Sequence, residues 1–293
     1  MSTEDDTRRP PTQIAVDATA PVLVFGGPYS NVRAVEAMRR HAATLDIASA
    51  QTICTGDVVA YCAEPEETIA AMRDWGCHVI AGNCEEQLAS GAGDCGCGFA
   101  EDSACERAAR DWFAFANGRV SQASRAWMAA LPKSLRFDYG GCSVRVVHGG
   151  VTAISRFVFA SDTAVLAEEL IKADADLVLA GHAGLPFIAE IASRVWFNPG
   201  VLGMPANDGT PDAWYGLMRA DGSGMILSTH RLPYDHRRAA DATRHAGHAD
   251  GYAAALDSGL WPSLDVLPPA ERLATGVPLA EMSWTLHLTK SQP

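Results

Sequence analysis

Four polar side chains able to do chemistry stand directly after predicted strands. Asp57 and Asn83 each follow a glycine, and His148 and His182 each lie beside one. Ligands of open α/β sheets bind where loops leave the carboxyl ends of strands, so these side chains, with Asn31, are predicted to converge on one rim. A lone histidine after a strand is more often a core or surface residue than a ligand. The order of all five residues therefore carries the argument.

Short apolar runs alternate with helical patterns and would position these residues. The first run stops at Gly26, and residues 32–43 have helical spacing. This alternation predicts an α/β fold: one two-sheet sandwich with largely parallel strands, helices outside and the polar loops on one rim. An antiparallel pair is expected at 214–218 and 224–228, joined by a turn at 221–224. The other strands are predicted at 21–25, 51–55, 77–81, 143–147, 177–180 and 194–197.

Composition and pattern divide the chain into three parts. Residues 1–20 are polar, contain a proline pair and are predicted to be a disordered tail. Residues 21–232 carry the strand and helix pattern and form the main domain, in which the Gly/Cys-rich insertion 91–105 is expected to be an ordered loop. Residues 233–293 are predicted to be an extension, a helix followed by an extended segment, that packs on the domain or trails from it.

The overall charge and hydropathy narrow the classes of partner. The 293 residues are 48% hydrophobic and 20% charged, with a formal net charge of −12. A nucleic-acid partner is not expected, because no basic run is present to displace counterions, and a small molecule fits better. Neither a secretory signal nor an apolar run long enough to span a membrane is found, so we expect a cytoplasmic protein with no membrane partner. The oligomeric state is left open.

Five short blocks together resemble the calcineurin-like metallophosphoesterases. That family's blocks read GD, GN[HC][DE], H, GHxH and NPG, and the likeness extends over about residues 21–230. It implies a two-sheet β-sandwich flanked by helices in four layers. In the family, two metal ions clamp a phosphate and generate a hydroxide nucleophile. The blocks here are Gly56-Asp57, Gly82-Asn83, His148-Gly149, Gly181-His182 and Asn198-Pro199-Gly200.

Departures from the family pattern all fall on one of the two metals. Gly27 and Tyr29 stand where the family has an Asp and a His, and Gly184 replaces the second His of GHxH. The resemblance therefore implies a site for one divalent ion (Mn, Fe or Zn), with Asp57 and His148 also placed in the catalytic machinery. The implied ligands of that ion are Asp57, Asn83, His148 and His182.

Cysteines are concentrated near the same blocks. Cys84 occupies the position of the family's GNH histidine, and a neighbouring cation would make it a ligand or nucleophile. Cys95 and Cys97, with Cys62 or Cys105, could add a soft site suited to zinc or iron. The alternative is that the Cys95-Gly-Cys97 loop is merely packed with small residues. Three further cysteines, in or beside apolar strands, are interpreted as buried hydrophobic residues: Cys54, Cys77 and Cys142.

Candidate substrate-binding residues are Asn31, Tyr29 and Arg156. The planar guanidinium of Arg156 suits a phosphate or carboxylate, although an arginine in such a position is often solvated or paired with an acid. Three other polar residues lie in turn-forming sequence and receive no role: Asn198, Asn207 and Asp208.

Three functions remain open at this point. The leading one is a metal-dependent hydrolase acting on a small phosphoester with a remodelled metal site. The second is a thiolate-rich metal or redox enzyme, or a metal- or metalloid-binding protein, that uses the same fold for other chemistry. The third is an inactive scaffold, which would explain the lost ligands but not the retained ones.

Overall fold

A computed structural model describes residues 10–222, 224–248 and 250–287. The described part forms two mixed six-stranded sheets stacked face to face, with helices on both outer faces. The strands are β1 (Thr12–Gln13), β2 (Val22–Phe25), β3 (Thr52–Cys54), β4 (His78–Val79), β5 (Leu135–Tyr139), β6 (Cys142–Val146), β7 (Leu177–Leu179), β8 (Pro186–Ile191), β9 (Arg194–Pro199), β10 (Ala213–Ala220), β11 (Gly224–Leu232) and β12 (Ser283–His287). The helices are α1 (Val32–Thr44), α2 (Pro65–Trp75), α3 (Asn83–Ser90), α4 (Ala104–Asn117), α5 (Gln122–Ala129), α6 (Thr163–Ala173), α7 (His236–Ala246), α8 (Asp250–Ser258) and α9 (Pro269–Leu273).

The middle strands β5 to β9 form one sheet with β1, whereas the early strands β2 to β4 and the late strands β10 to β12 form the other. The first sheet runs β1-β5-β6-β7-β9-β8 and the second runs β12-β11-β10-β2-β3-β4. Each contains a parallel group, β6-β7-β9 in the first and β2-β3-β4 in the second. The predicted antiparallel pair is β10 and β11, with Ala213 opposite Leu232. The carboxyl ends of the parallel groups carry the polar loops.

The main core lies between the sheets. Val24 and Ile53 of the second sheet belong to the same buried cluster as Val144 and Leu177 of the first. The central strands β2 and β7 are buried throughout, since layers cover both of their faces. Helices α1 and α2 pack on the outside of the second sheet, and α6 on the outside of the first. The predicted two-sheet α/β sandwich with flanking helices is confirmed.

The amino-terminal segment differs from the predicted disordered tail where it is described. Thr12 and Gln13 pair in parallel with β5, and Ile14 and Val16 pack against the core between the sheets. Their apolar side chains gain from burial, which a purely polar tail would not. Residues 1–9 lie outside the described residues.

Residues beyond β11 add to the domain. Helix α7 packs against α1 and α8, and β12 pairs antiparallel with β11 at the edge of the second sheet. A long connection between α8 and β12 crosses the rim that carries the polar loops, and it includes Trp261 and α9. No helix in the described ranges has the length and apolar character needed to cross a membrane.

Candidate metal centre

Four polar atoms of the predicted ligands meet at one buried point. His148 Nε2 lies 3.0 Å from Asn83 Oδ1, 3.1 Å from His182 Nδ1 and 3.2 Å from Asp57 Oδ2. All four side chains are less than 9% exposed. The chain brings them together because β3, β4, β6 and β7 end at the same rim. Asp57 and His182 both have positive φ values, 55° and 56°, which turn their side chains into the centre.

Hydrogen bonds behind the cluster fix which atoms face inward. His148 Nδ1 lies 2.7 Å from the carbonyl oxygen of Thr55, so the proton on Nδ1 donates there and a neutral ring presents the lone pair of Nε2. The Asn83 amide donates from Nδ2 to the Cys95 carbonyl at 2.9 Å, which directs its Oδ1 toward His148. Second-shell hydrogen bonds of this kind are typical of metal ligands.

The cluster carries one negative charge, which a proton or a cation must balance. Burial alone would raise the pKa of Asp57, but the neighbouring His148 outweighs it and the pKa is lowered. Burial likewise disfavours the charged form of His148, but the Asp57 carboxylate raises its pKa. Burial and the nearby His148 lower the pKa of His182 to about 3. With one carboxylate and a neutral His182, a proton on His148 or a metal ion supplies the balancing charge.

The sequence analysis assigned no role to Glu85, which connects the loops that carry Asp57 and Asn83. Its buried carboxylate accepts hydrogen bonds from the amides of Asp57 at 2.8 Å, Gly82 at 2.9 Å and Val59 at 3.1 Å. Burial, followed by the charge of Asp57, raises the pKa of Glu85 to about 7. The family block could have indicated this residue, because Glu85 is the acidic residue that follows GN[HC] and lies in the first turn of α3.

Aromatic rings lie against the two glycines that replace family ligands, Gly27 and Gly184. A Cβ atom placed on Gly27 would come within 2.3 Å of the Tyr29 ring, so no side chain fits there. Gly184 has φ of 73°, and a Cβ atom on it would lie 3.2 Å from the indole of Trp261. Both positions are therefore glycine for reasons of space, and at Gly184 also of backbone conformation.

The predicted cysteine site is only partly assembled. Cys84 is buried beside the ligands, and its backbone amide lies 3.3 Å from Asp57 Oδ1. Burial and the charge of Asp57 raise the pKa of its thiol. Cys95 and Cys97 form a disulfide with each other, so in this state neither offers a thiolate ligand. Cys97 Sγ accepts from Asn83 Nδ2 at 3.3 Å, which places the disulfide behind a ligand.

Two other cysteines lie away from the metal cluster, contrary to the prediction. Among the described residues, the His, Cys, Asp and Glu side chains that converge as a possible metal site include Asp57, His148 and His182 but no cysteine. Cys62 Sγ donates to the Gly203 carbonyl at 3.6 Å, and Cys105 is half-buried at the wall of a neighbouring cavity. Cys54 and Cys142 are buried, as interpreted, and Cys77 is half-buried.

Two predicted substrate-binding residues have structural partners instead. Asn31 Oδ1 accepts from the Ala34 amide at the start of α1, and its Nδ2 donates to Gly203 and Tyr234. Its side chain is thus occupied as a helix cap.

Arg156 is held by acids. Its guanidinium lies 2.7 Å from Glu168 and 3.3 Å from the fully buried Glu169. Only Tyr29 of the three candidates lines an open space, a cavity beside His182.

The residues after β9 hold the long carboxyl-terminal connection over the rim. The Trp261 amide donates to Asn207 Oδ1 at 2.8 Å, and its indole N–H donates to the Pro205 carbonyl at 2.7 Å. Asp208 accepts from Arg231 at 2.5 Å and from the Leu279 amide at 3.0 Å. Asn207 and Asp208 therefore do more than shape a turn, a role that depends partly on Trp261 and Leu279, more than 50 positions away.

The donor set fits one divalent cation. Three lone-pair atoms surround His148 Nε2, an arrangement that is repulsive without a proton or cation at its centre. His182 Nε2 is buried and has no hydrogen-bond partner in the described part of the chain, consistent with a ring placed for its other nitrogen. Mixed oxygen and imidazole ligands suit zinc, iron or manganese.

Comparison with known proteins agrees with this fold. Residues 30–222 match the family described as the calcineurin-like phosphoesterase superfamily domain. A metallophosphoesterase from Sphaerobacter thermophilus is similar over 83% of this chain and 100% of its own, with 21% identity and a TM-score of 0.63. A hypothetical protein from Pyrococcus horikoshii OT3 is similar over 83% and 99%, with 17% identity and a TM-score of 0.70. No curated protein matched the sequence.

An α/β sandwich with a buried Asp, Asn and His cluster at the carboxyl ends of its strands defines a metal-dependent phosphoesterase fold. The chain belongs to the calcineurin-like phosphoesterase superfamily.

Proposed function

We propose that the chain is a hydrolase of a small phosphoester that uses a single divalent cation. The supporting observation is the contrast between the two halves of the family site. Asp57, Asn83, His148 and His182 direct ligand atoms to one buried point, whereas the Tyr29 ring fills the space beside Gly27. When bound, a divalent ion supplies Lewis acidity to a phosphoryl oxygen and lowers the pKa of water.

The residues of the cluster and the groups that hold them each have a part in this proposal. Asp57 supplies the negative charge that attracts the cation, and the Thr55 carbonyl keeps Nε2 of His148 free to bind it. The Cys95 carbonyl orients Asn83 in the same way. Glu85 ties the loops of Asp57 and Asn83 together, so both ligands stay in place before any substrate arrives.

Charge favours a diester over a monoester as the substrate. With Glu85 protonated, one divalent ion and the Asp57 carboxylate leave one net positive charge, which balances the monoanion of a phosphodiester. Arg156, the cation predicted to bind the substrate, is already paired with Glu168 and Glu169. A second cation for a phosphomonoester dianion is therefore missing from this set of residues.

The test combines metal analysis with hydrolysis. Protein purified without added metal is measured by plasma mass spectrometry, then assayed with bis(p-nitrophenyl) phosphate and p-nitrophenyl phosphate after loading with Mn²⁺, Fe²⁺ or Zn²⁺. We expect about one ion per chain and faster hydrolysis of the diester, both lost in His148→Ala. Full-length folded protein that binds no metal and hydrolyses neither ester would refute the proposal and favour the inactive scaffold.

The second candidate is the thiolate-rich metal or redox enzyme, and one contact favours it. The Cys95–Cys97 disulfide touches Asn83, so its reduction would release two thiols behind a metal ligand. X-ray absorption of the metal-loaded protein distinguishes the two functions. Sulfur in the coordination sphere after reduction would favour the second, and a sphere of oxygen and nitrogen alone favours the hydrolase.

A further inference from the structure

A cavity of about 100 Å³ opens directly beside the metal cluster. Its walls come from three separate parts of the chain: Tyr29 and His182 from the strand-end loops, Ala108 from α4, and Tyr252 and Trp261 from the carboxyl-terminal extension. For scale, a 150 Å³ engineered apolar cavity binds benzene. The space beside His182 is therefore that of a single ring.

The wall of this cavity is aromatic and uncharged. Of the described residues that line it, none is Asp, Glu, Lys or Arg. Tyr61 stacks on Tyr252 with ring centroids 4.5 Å apart, and Tyr29 meets Tyr61 edge-on at 4.7 Å. Such a wall stabilises an apolar group and offers nothing to a charged one, such as the phosphates or carboxylates of a nucleotide or peptide.

Polar groups at the cavity are few, and one of them lies next to the metal cluster. His182 turns Nδ1 to the metal cluster, while its Nε2 is buried without a partner among the described residues and its ring packs 4.3 Å from Phe157. Tyr29, Tyr61 and Tyr252 also line the cavity. An apolar wall with a few polar groups is the usual composition of a small-molecule site.

The wall is also held in place in advance. Trp261 is fixed by two hydrogen bonds, from its amide to Asn207 and from its indole to Pro205. A rigid aromatic wall loses little conformational entropy when a ligand binds, which favours affinity.

We infer that this cavity binds one uncharged aromatic ring, carried by the substrate, and thereby holds the attached ester group at the metal cluster. This inference rests on the proposed function for the identity of the attached group. The binding of the ring itself depends only on the cavity. The substrate class is thus an aryl phosphodiester or one with a ring of similar size.

The experiment measures binding of phenol to the metal-loaded full-length protein by calorimetry, with glycerol as the ring-free probe. Ala108→Phe fills the cavity, and Ala114→Phe makes the same change at an exposed position of the same helix. We expect phenol to bind, glycerol not to bind, and Ala108→Phe to weaken phenol binding about tenfold or more while Ala114→Phe leaves it unchanged. Ala104→Phe, at the exposed start of α4 and also lining the cavity, serves if Ala108→Phe does not fold.

The outcomes separate the two proposals. Phenol binding that the cavity-filling variant removes supports the ring site even if no ester is hydrolysed, and in that case only the proposed reaction fails. Hydrolysis of the diester with no phenol binding, or with equal phenol binding in Ala108→Phe and Ala114→Phe, overturns the ring site and leaves the reaction standing.

Discussion

At the scale of single residues, the orientation of two of the candidate ligands, His148 and Asn83, depends on hydrogen bonds to backbone carbonyls of other loops. His148 is oriented by Thr55, 93 positions earlier, and Asn83 by the backbone of Cys95. A ligand fixed in this way loses little freedom when a cation binds, which increases affinity. The site is thus prepared by the fold before a metal ion arrives.

The first prediction concerns the two histidines. His148→Ala and His182→Ala are each expected to lower metal affinity at least tenfold, because each removes one of four converging ligands. Both residues follow strands rather than form the core, so the fold should persist. Plasma mass spectrometry gives the metal content and circular dichroism the fold. His78→Ala, at β4 and outside the cluster, is the matched control. A variant that keeps its full metal content would show that the replaced histidine is not a ligand.

The second prediction compares two buried cysteines. Cys84 lies beside Asp57 and Asn83, whereas Cys142 packs in the core between the sheets. Cys84→Ser is therefore expected to change metal content or hydrolysis about tenfold, and Cys142→Ser to change mainly stability. Metal analysis and thermal unfolding of both variants separate these effects. Equal and negligible effects on the metal would return Cys84 to a packing role.

The residues that could be predicted from sequence were those that stand at strand ends with glycine neighbours. Asp57, Asn83, His148 and His182 all meet this condition, and their order carried the family pattern. The substrate residues were harder to predict because partners decide their availability. Arg156 is unavailable because of Glu168 and Glu169, which no local pattern reveals.

At the scale of elements, the loop after β2 is close-packed at the position of the first family block. This loop folds the Tyr29 ring over Gly27, with a positive φ of 50° at Tyr29. The ring also packs against Tyr61 from the loop after β3. A side chain at position 27 would therefore require changes in more than one element.

The third prediction follows from that packing. Gly27→Asp is expected to destabilise the protein by about 2 kcal/mol through the clash with Tyr29, and Gly184→His by a similar amount through its positive φ and Trp261. Metal analysis of the double variant Gly27→Asp/Gly184→His should still give one ion per chain. Chemical denaturation gives the stabilities.

A further variant checks the cause of this effect. Adding Tyr29→Gly to Gly27→Asp removes the clashing ring and should recover part of the lost stability relative to Gly27→Asp alone. Two ions per chain in Gly27→Asp/Gly184→His, which keeps Tyr29, would contradict the packing explanation.

Element boundaries show where a single sequence is informative. The parallel strands were predicted because apolar runs ending in glycine are long enough to stand out. Strands β1, β5, β8 and β12 were missed. Three of them, β1, β8 and β12, are edge strands, and β1 and β12 have few buried residues, for which periodicity is weak. Strand β5 does alternate between buried and more exposed residues, a pattern that the sequence carried and the prediction did not use. The pairing of β1 with β5 and of β12 with β11 is decided by distant neighbours.

At the scale of the whole molecule, the carboxyl-terminal extension is fastened by an ionic contact. Burial opposes ionisation of Asp208, but hydrogen bonds from the Leu279 amide, Thr210 and Arg231 outweigh it and lower the pKa. Arg231 also lies over the Trp214 ring at 4.6 Å. The contact joins the loop after β9, β11 and the extension.

The fourth prediction tests this contact through its pH dependence. A lowered pKa means that Asp208 contributes stability above its unfolded pKa of 3.8, and that this contribution is lost as the pH falls through the folded value. Asp208→Asn should cost about 2 kcal/mol of unfolding free energy at pH 7, and the difference from the unchanged protein should vanish at low pH. Urea unfolding at a series of pH values measures it.

Asp212→Asn is the matched control for that series. Asp212 lies 3.7 Å from Arg231 and is partly exposed, so its replacement should cost less than about 0.5 kcal/mol at every pH. If the two variants behave alike, Asp208 is not the fastening residue.

The position of Trp261 has a consequence for the order in which the protein becomes competent during synthesis. The last of the four metal ligands, His182, leaves the ribosome well before the indole that closes the ring cavity, and chains fold from the amino terminus as they emerge. On the proposed function, the residues that would hold the cation are therefore all synthesised before the indole that completes the cavity wall. The order of synthesis places the elements of metal binding ahead of those of ring recognition.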